Sequence, residues 1–354
     1  MSNSTEFILF IPGIGVREPE EYLEKLINGI RNYCDAKGLP FELDDSFVKG
    51  TGKRRIQVTL STNCNKVIEI QEAYWRDLCP RLSSESGIRQ VIRGFSLLFF
   101  WITSRKLWKE VWSSKYILFW TVAALVVSLG WYYGVLAAAF TAIGANQEVL
   151  GLSLPPEIAK IFEDFGRTMG SWYAWGITSA VISIIPVTTI IDISYGAKCY
   201  LENYRGIYRK ICDRIDKALQ TVVSQSPSNY DRITVVSHSF GVVISTEVLA
   251  NYTTENALRL RTITLGGALM LFAARSNRVQ NALNKVLLNE KIESWIDFYS
   301  NNDWSCTPPV PKEKEIKKFK GRQITATVPL DERVSGASHT LYFDDWDVME
   351  TLLG

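Results

Sequence analysis

Histidine is almost absent from the chain: His238 and His339 are the two imidazoles in 354 residues. A zinc site draws three or four ligands from His, Cys and carboxylates at close spacing, so no metal site is expected. Cysteine is scarce too. Cys34, Cys64, Cys79, Cys199, Cys212 and Cys306 are scattered without a Cys-x-x-Cys, which reads as reduced thiols in a cytosolic domain rather than a disulfide framework. No excess of one charge exists: 39 Lys+Arg against 37 Asp+Glu leave a net charge of +2, so composition predicts no nucleic-acid partner. A signal-peptide core is missing, because only Phe7–Ile11 is apolar between a polar start and Pro12-Gly13. With 47% hydrophobic and 21% charged residues, a disordered chain is excluded.

Charge is also missing locally. Tyr116–Gln147 and Thr168–Ile191 contain no Asp, Glu, Lys, Arg or His. About 20 apolar residues suffice for a helix to cross a bilayer, and soluble core helices seldom run so far uncharged. Trp120, Trp131, Trp172 and Trp175 gather near the ends, as at lipid headgroups. The pattern predicts a two-helix transmembrane hairpin over 116–191, kinked at Pro186, with Gly130 and Gly134 permitting close contact. Lys and Arg crowd the outer flanks (Arg93, Arg105, Lys106, Lys109 and Lys115; Lys198, Arg205, Arg209, Lys210, Arg214 and Lys217). The connection holds only Lys160 and Arg167. The expectation is a multi-pass membrane protein with both flanks facing the cytoplasm and the lipid bilayer as a partner. Residues 93–115 mix apolar and basic positions and read as an interfacial helix.

The flanks, residues 1–92 and 198–354, alternate strand-like and helix-like runs. Phe7–Ile11, Arg55–Leu60, Val67–Tyr74, Ile233–Val236, Thr262–Leu265, Ser294–Tyr299 and Ile324–Val328 read as strands. Glu18–Ala36, Tyr200–Val223, Val242–Leu249, Val279–Leu288 and Asp345–Leu353 read as helices. This predicts one discontinuous α/β domain, with a mostly parallel sheet covered by helices on both faces and interrupted by the hairpin. The Lys-rich stretch Pro308–Arg322 reads as a solvated loop.

The sharpest local feature is Ile233-Thr-Val-Val-Ser237-His238-Ser239-Phe240-Gly241-Val242-Val243, an apolar strand, a tight turn and an apolar helix. Small residues two before and two after Ser239 fit a nucleophile elbow, with Ser237 standing where Gly is usual. Phe7–Gly15 is a strand ending in a Gly-rich turn that can aim backbone N–H groups at an oxyanion. Trp295–Trp304 runs into an acidic loop holding Asp297 and Asp303. Both are candidate acids, Asp297 within the strand and Asp303 in the loop after it. A Ser nucleophile needs an imidazole. His238 follows the strand beside Ser239 and is expected to point away from its Oγ, which leaves His339 in Ser335–Tyr342.

With these residues the chain resembles the α/β-hydrolase superfamily, in its lipase- and serine-esterase-like branch. Phe7–Gly15, Val67–Asp77, Ile233–Val243, Thr262–Gly267, Trp295–Asp303 and Ser338–Tyr342 carry the resemblance; Pro12-Gly13 replaces the His-Gly that often opens that branch's oxyanion loop. The resemblance implies a serine hydrolase acting on acyl esters, lipid-like ones included. Ser239 would be nucleophile, His339 base, Asp303 its orienting acid, and the N–H groups of Phe240 and of Gly13 or Ile14 the oxyanion donors. No cofactor is required. The competing reading is a non-catalytic scaffold or binding module on the same fold.

Overall fold

The run Phe7–Ile11 is apolar at every position because the strand that contains it, β1 (Ser2–Ile11), is buried on both faces. Phe7, Leu9 and Ile11 enter one hydrophobic cluster, and Ile8 and Phe10 enter the other. A computed structural model describes residues 2–15, 18–44, 50–61, 64–84, 87–113, 129–130, 132, 134, 143, 155–169, 187–253, 259–303, 305–307, 318–329, 332–333 and 336–354. The remaining strands are β2 (Phe41–Leu43), β3 (Lys53–Ser61), β4 (Cys64–Glu72), β5 (Arg232–His238), β6 (Leu260–Leu265), β7 (Ile292–Ser300) and β8 (Phe319–Ile324). They form one eight-stranded sheet in the order β2-β3-β4-β1-β5-β6-β7-β8. β3 runs antiparallel to β2 and β4, and all other neighbours are parallel. The chain is an α/β protein whose sheet joins residues from before and after the uncharged middle.

Helices cover both faces. On one side α1 (Glu21–Lys37) and α10 (Trp346–Leu353) pack Leu23, Leu26, Ile30, Met349 and Leu352 against Ile8, Phe10 and Ile68. On the other lie α6 (Ile207–Asn229), α7 (Gly241–Leu249), α8 (Leu269–Arg275) and α9 (Asn277–Leu288). The carbonyls closing α10 meet buried cations: Lys66 Nζ donates to Leu353 O at 2.8 Å and Arg261 to Thr351 O. Lys66 also pairs with Glu6 at 2.7 Å. Cations there complement the negative helix end.

The central segment departs from expectation. Residues 87–113 form two helices, α2 (Gly87–Ile102) and α3 (Arg105–Ser113), in place of one interfacial helix. Among the described residues no helix is long and apolar enough to cross a membrane. The expected two-span topology, with the domain facing the cytoplasm, is therefore corrected, and the bilayer as partner loses the support of those spans. The physical reason is visible where the second expected span ends: Ile191 packs against the core cluster, and its helix continues into the domain. α4 (Pro156–Met169) carries Glu157, Lys160, Glu163, Asp164 and Arg167. α5 (Val187–Leu201) turns Tyr195, Ala197, Cys199 and Tyr200 into the domain core, and its Asp192 accepts from Ser83 N and Oγ at 2.9 and 2.6 Å. Tyr132 is buried, its hydroxyl against Gly94 of α2. Most of both expected spans, Pro186 included, lies outside the described residues, as does most of the Lys-rich stretch.

Elsewhere the elements shift by a few residues. The last strand lies at Phe319–Ile324, ahead of the expected Ile324–Val328, and the expected helix from Tyr200 divides between α5 and α6. Cys34, Cys79, Cys199, Cys212 and Cys306 are free thiols.

The loop leaving β1 is held by carboxylates. Glu72 Oε2 accepts Glu20 N–H at 2.6 Å, while the Glu20 carboxylate accepts from Gly50 N, Gly52 N and Arg54. Burial pushes the Glu72 carboxyl from 4.5 up to about 7, against the lowering from the Glu20 N–H. A raised carboxyl pKa means that the folded state binds the proton more tightly, so this group's contribution falls as pH rises from 4.5 to about 7. Glu72→Gln should therefore have a higher Tm than wild type above pH 7, with the difference shrinking towards pH 4.5. Thermal melts across that range check it, and a pH-independent difference would contradict the assignment.

Candidate active site

Parallel pairing brings the carboxyl ends of β1, β5, β6 and β7 to one edge of the sheet, where open α/β sheets bind ligands. Ser237 lies opposite both Ile11 and Thr264, and His238 opposite Leu265. Beyond His238 the chain turns sharply. Ser239 has φ 57°, a left-handed conformation that costs a residue with a side chain about 1–2 kcal/mol. It is fixed by Ser239 N–H donating to Leu265 O at 2.9 Å and by Val242 N–H donating to Ser239 O at 3.1 Å.

The turn leaves room for nothing larger than its own residues. A Cβ on Gly241 would lie 2.4 Å from Ile11 O, and one on Gly13 would lie 2.7 Å from Ser239 Cβ and 3.2 Å from Ser239 Oγ. Ser237 replaces the usual Gly because its hydroxyl is used: Ser237 Oγ lies 2.9 Å from Ser245 Oγ, which donates to Val242 O at 3.0 Å. Trp75 Nε1 donates to Pro12 O at 2.8 Å and fixes the turn after β1. Phe240 is buried among Trp75, Tyr200 and Phe272, with ring centroids 5.9, 5.2 and 4.9 Å away. Among the described residues no acceptor occupies the backbone N–H of Gly13, Ile14 or Phe240.

The candidate acid and base meet. Asp303, in the loop after β7, is 0% exposed, and its Oδ2 lies 2.8 Å from His339 Nδ1. The same carboxylate accepts from Tyr342 OH at 3.0 Å, Ser305 N at 3.0 Å and Ser305 Oγ at 2.8 Å. Ser305 Oγ also lies 2.6 Å from His339 Nδ1, so it bridges acid and imidazole. A carboxylate facing Nδ1 places the ring proton there and leaves Nε2 as a lone pair. Asp297, within β7, takes no part: it accepts from Thr264 Oγ1 at 2.5 Å, and burial pushes its carboxyl up to about 7.

The structure thus seats Gly13 against Ser239, with Ile14 and Phe240 the residues that follow each in the chain, and joins His339 to Asp303. It makes no hydrogen bond between Ser239 Oγ and His339 among the described residues. Such contacts are often long without substrate. Ser305, Tyr342 as a donor to the acid, and Trp75 were not assigned from the sequence. The one available signal was Asp303-Trp304-Ser305, the spacing at which an Asp side chain accepts the N–H two residues on. Among the described residues no group of three or more His, Cys, Asp and Glu is arranged to hold a metal. No family model matches the chain, and no curated protein or solved structure matches it.

The left-handed turn makes a stability prediction. Glycine is ordinarily less stable than alanine by about 0.5–1 kcal/mol within regular structure. At position 239 the order should reverse, Ser239→Gly exceeding Ser239→Ala by roughly 0.5–1 kcal/mol, because glycine escapes the left-handed penalty. Urea unfolding of the two variants measures it. A more stable alanine variant would contradict the turn geometry.

Proposed function

We propose that the chain is a serine hydrolase that cleaves acyl esters through a covalent acyl-enzyme, on an α/β-hydrolase-like fold. One observation carries the reading: a fully buried carboxylate 2.8 Å from Nδ1 of an imidazole, in a chain whose elbow serine stands at the same edge of the sheet. The nucleophile turn after β5, the acid loop after β7 and the histidine after β8 follow the chain order Ser, Asp, His of α/β hydrolases.

Ser239 Oγ attacks the acyl carbonyl carbon as His339 Nε2 takes its proton. Asp303 holds the ring through Nδ1–H and stabilises the imidazolium that forms. The carbonyl oxygen, now negative, accepts from Phe240 N–H and from Gly13 or Ile14 N–H. Such donors contribute about 2.7–4 kcal/mol each to the transition state. The tetrahedral centre collapses, the alcohol leaves with the proton from His339, and water repeats the sequence to release the acid. No step requires a cofactor.

The substrate we infer is a lipid-like acyl ester. Phe240 packs on Phe272, Phe272 on Trp101 of α2, and Trp101 on Phe100. α2 also exposes Ile92 and Phe99, and α3 exposes Trp112. Aromatic packing beside the oxyanion donors and an apolar outer face suit an acyl chain better than a charged substrate.

The test is hydrolysis of p-nitrophenyl esters of increasing chain length. Wild type should turn over and prefer longer acyl chains, Ser239→Ala should abolish burst and turnover, and folded Asp303→Asn should lose about 10⁴-fold in kcat. No turnover by wild type would favour the non-catalytic binding module. A preference for acetyl over longer chains would remove the lipid-like assignment alone.

A further inference from the structure

The fold brings the chain's two histidines into contact. The rings of His238 and His339 have centroids 4.6 Å apart at 40°. His238 is fully buried, its ring flanked by Tyr22 at 5.1 Å and Phe343 at 4.9 Å. Its Nε2 lies 2.9 Å from the backbone carbonyl oxygen of His339. A carbonyl only accepts, so Nε2 carries the ring proton and donates it. Burial first, and His339 second, hold the His238 pKa well below the ordinary range, which keeps the ring neutral. Nδ1 is then a buried lone pair without a partner among the described residues.

We propose that His238 is a positioning residue for the reaction, its Nε2–H tying the main chain of the general base to the strand that presents the nucleophile. The proposal rests on the serine hydrolase reading. Ser239 follows His238 directly, so the backbone that fixes Oγ also fixes this ring. β5 is held between β1 and β6 on both sides, and Ser239 N–H is anchored on Leu265 O. The His339 side chain is oriented by Asp303 and Ser305, but those bonds fix the ring only relative to the loop after β7. The bond from His238 ties the turn carrying His339 directly to the nucleophile strand. Without it the base and the nucleophile are referenced to different loops, and an error of about 1 Å at a reacting group can cost 10²-fold in rate.

Three substitutions separate the roles of the two ring nitrogens. Gln places an amide donor near Nε2, Asn places one near Nδ1, and Phe keeps the ring without either. With p-nitrophenyl esters, His238→Phe and His238→Asn should lose about 10²-fold in kcat with KM unchanged, and His238→Gln should return to within about tenfold of wild type. Asn equalling Gln, Phe retaining wild-type kcat, or all three losing kcat and Tm together would each overturn the proposal, the last by making His238 a core residue only. A second measurement stands free of activity. With only two histidines, the imidazole ¹⁵N spectrum of the whole protein holds two ring systems, distinguished by their loss in His238→Gln. His238 should be the Nε2–H tautomer; an Nδ1–H tautomer would overturn the proposal even in an active enzyme. Failure of wild-type turnover with the expected tautomer would instead overturn the hydrolase reading.

Discussion

A carboxylate without contact with water must be met by donors from every side, and Asp303 is the point where that requirement organises the site. A buried, unpaired carboxylate would cost several kcal/mol. Here His339, Tyr342 and two groups of Ser305 supply donors. The residues are far apart in sequence and come from the loop after β7 and from the turn before α10. Satisfying one side chain therefore docks two segments, and it sets the orientation of His339 as a by-product. Tyr342 is itself fully buried in the cluster formed by α1, α10 and one face of the sheet, so the acid's environment is continuous with the hydrophobic core.

The opposing constraint is strain at Ser239. A left-handed residue at the end of a buried strand persists only where its surroundings leave no alternative. Those surroundings are the carbonyls of Ile11 and Pro12 against Gly241, the Gly13 turn against Ser239 itself, and the hydrogen bond to Leu265 O. The N–H groups of Phe240 and of the turn at Gly13 and Ile14 have no acceptors among the described residues. Local stress and unused donors at one place are costs to folding, and the proposed catalysis would supply a reason for both.

The parts legible in the sequence were those fixed by local rules or by scarcity. A tight strand-to-helix turn limits the size of its residues, so the elbow could be read from Ser237 to Gly241. His339 could be named because the chain offers so few imidazoles. The sheet's α/β character followed from alternating apolar runs. What failed was what depends on distant partners. Absence of charge over a long stretch satisfies a bilayer and a packed interior equally, and Ile191, where the second stretch ends, packs against the interior. β8 exposes Lys320, Gly321, Arg322 and Gln323, and its pairing comes from the backbone of β7 rather than from an apolar pattern. β2 is a three-residue edge strand with no pattern to find. His238 was read through its neighbour alone, whereas its hydrogen-bond partner lies 101 residues further on.

The central claim is that Ser239 is an activated nucleophile, and covalent trapping tests it most directly. Wild-type protein treated with a fluorophosphonate should gain one adduct by intact mass, mapped by peptide fragmentation to Ser239 and slowed by orders of magnitude in folded His339→Ala. No adduct on folded protein, or an adduct on another serine that survives Ser239→Ala, would contradict the account.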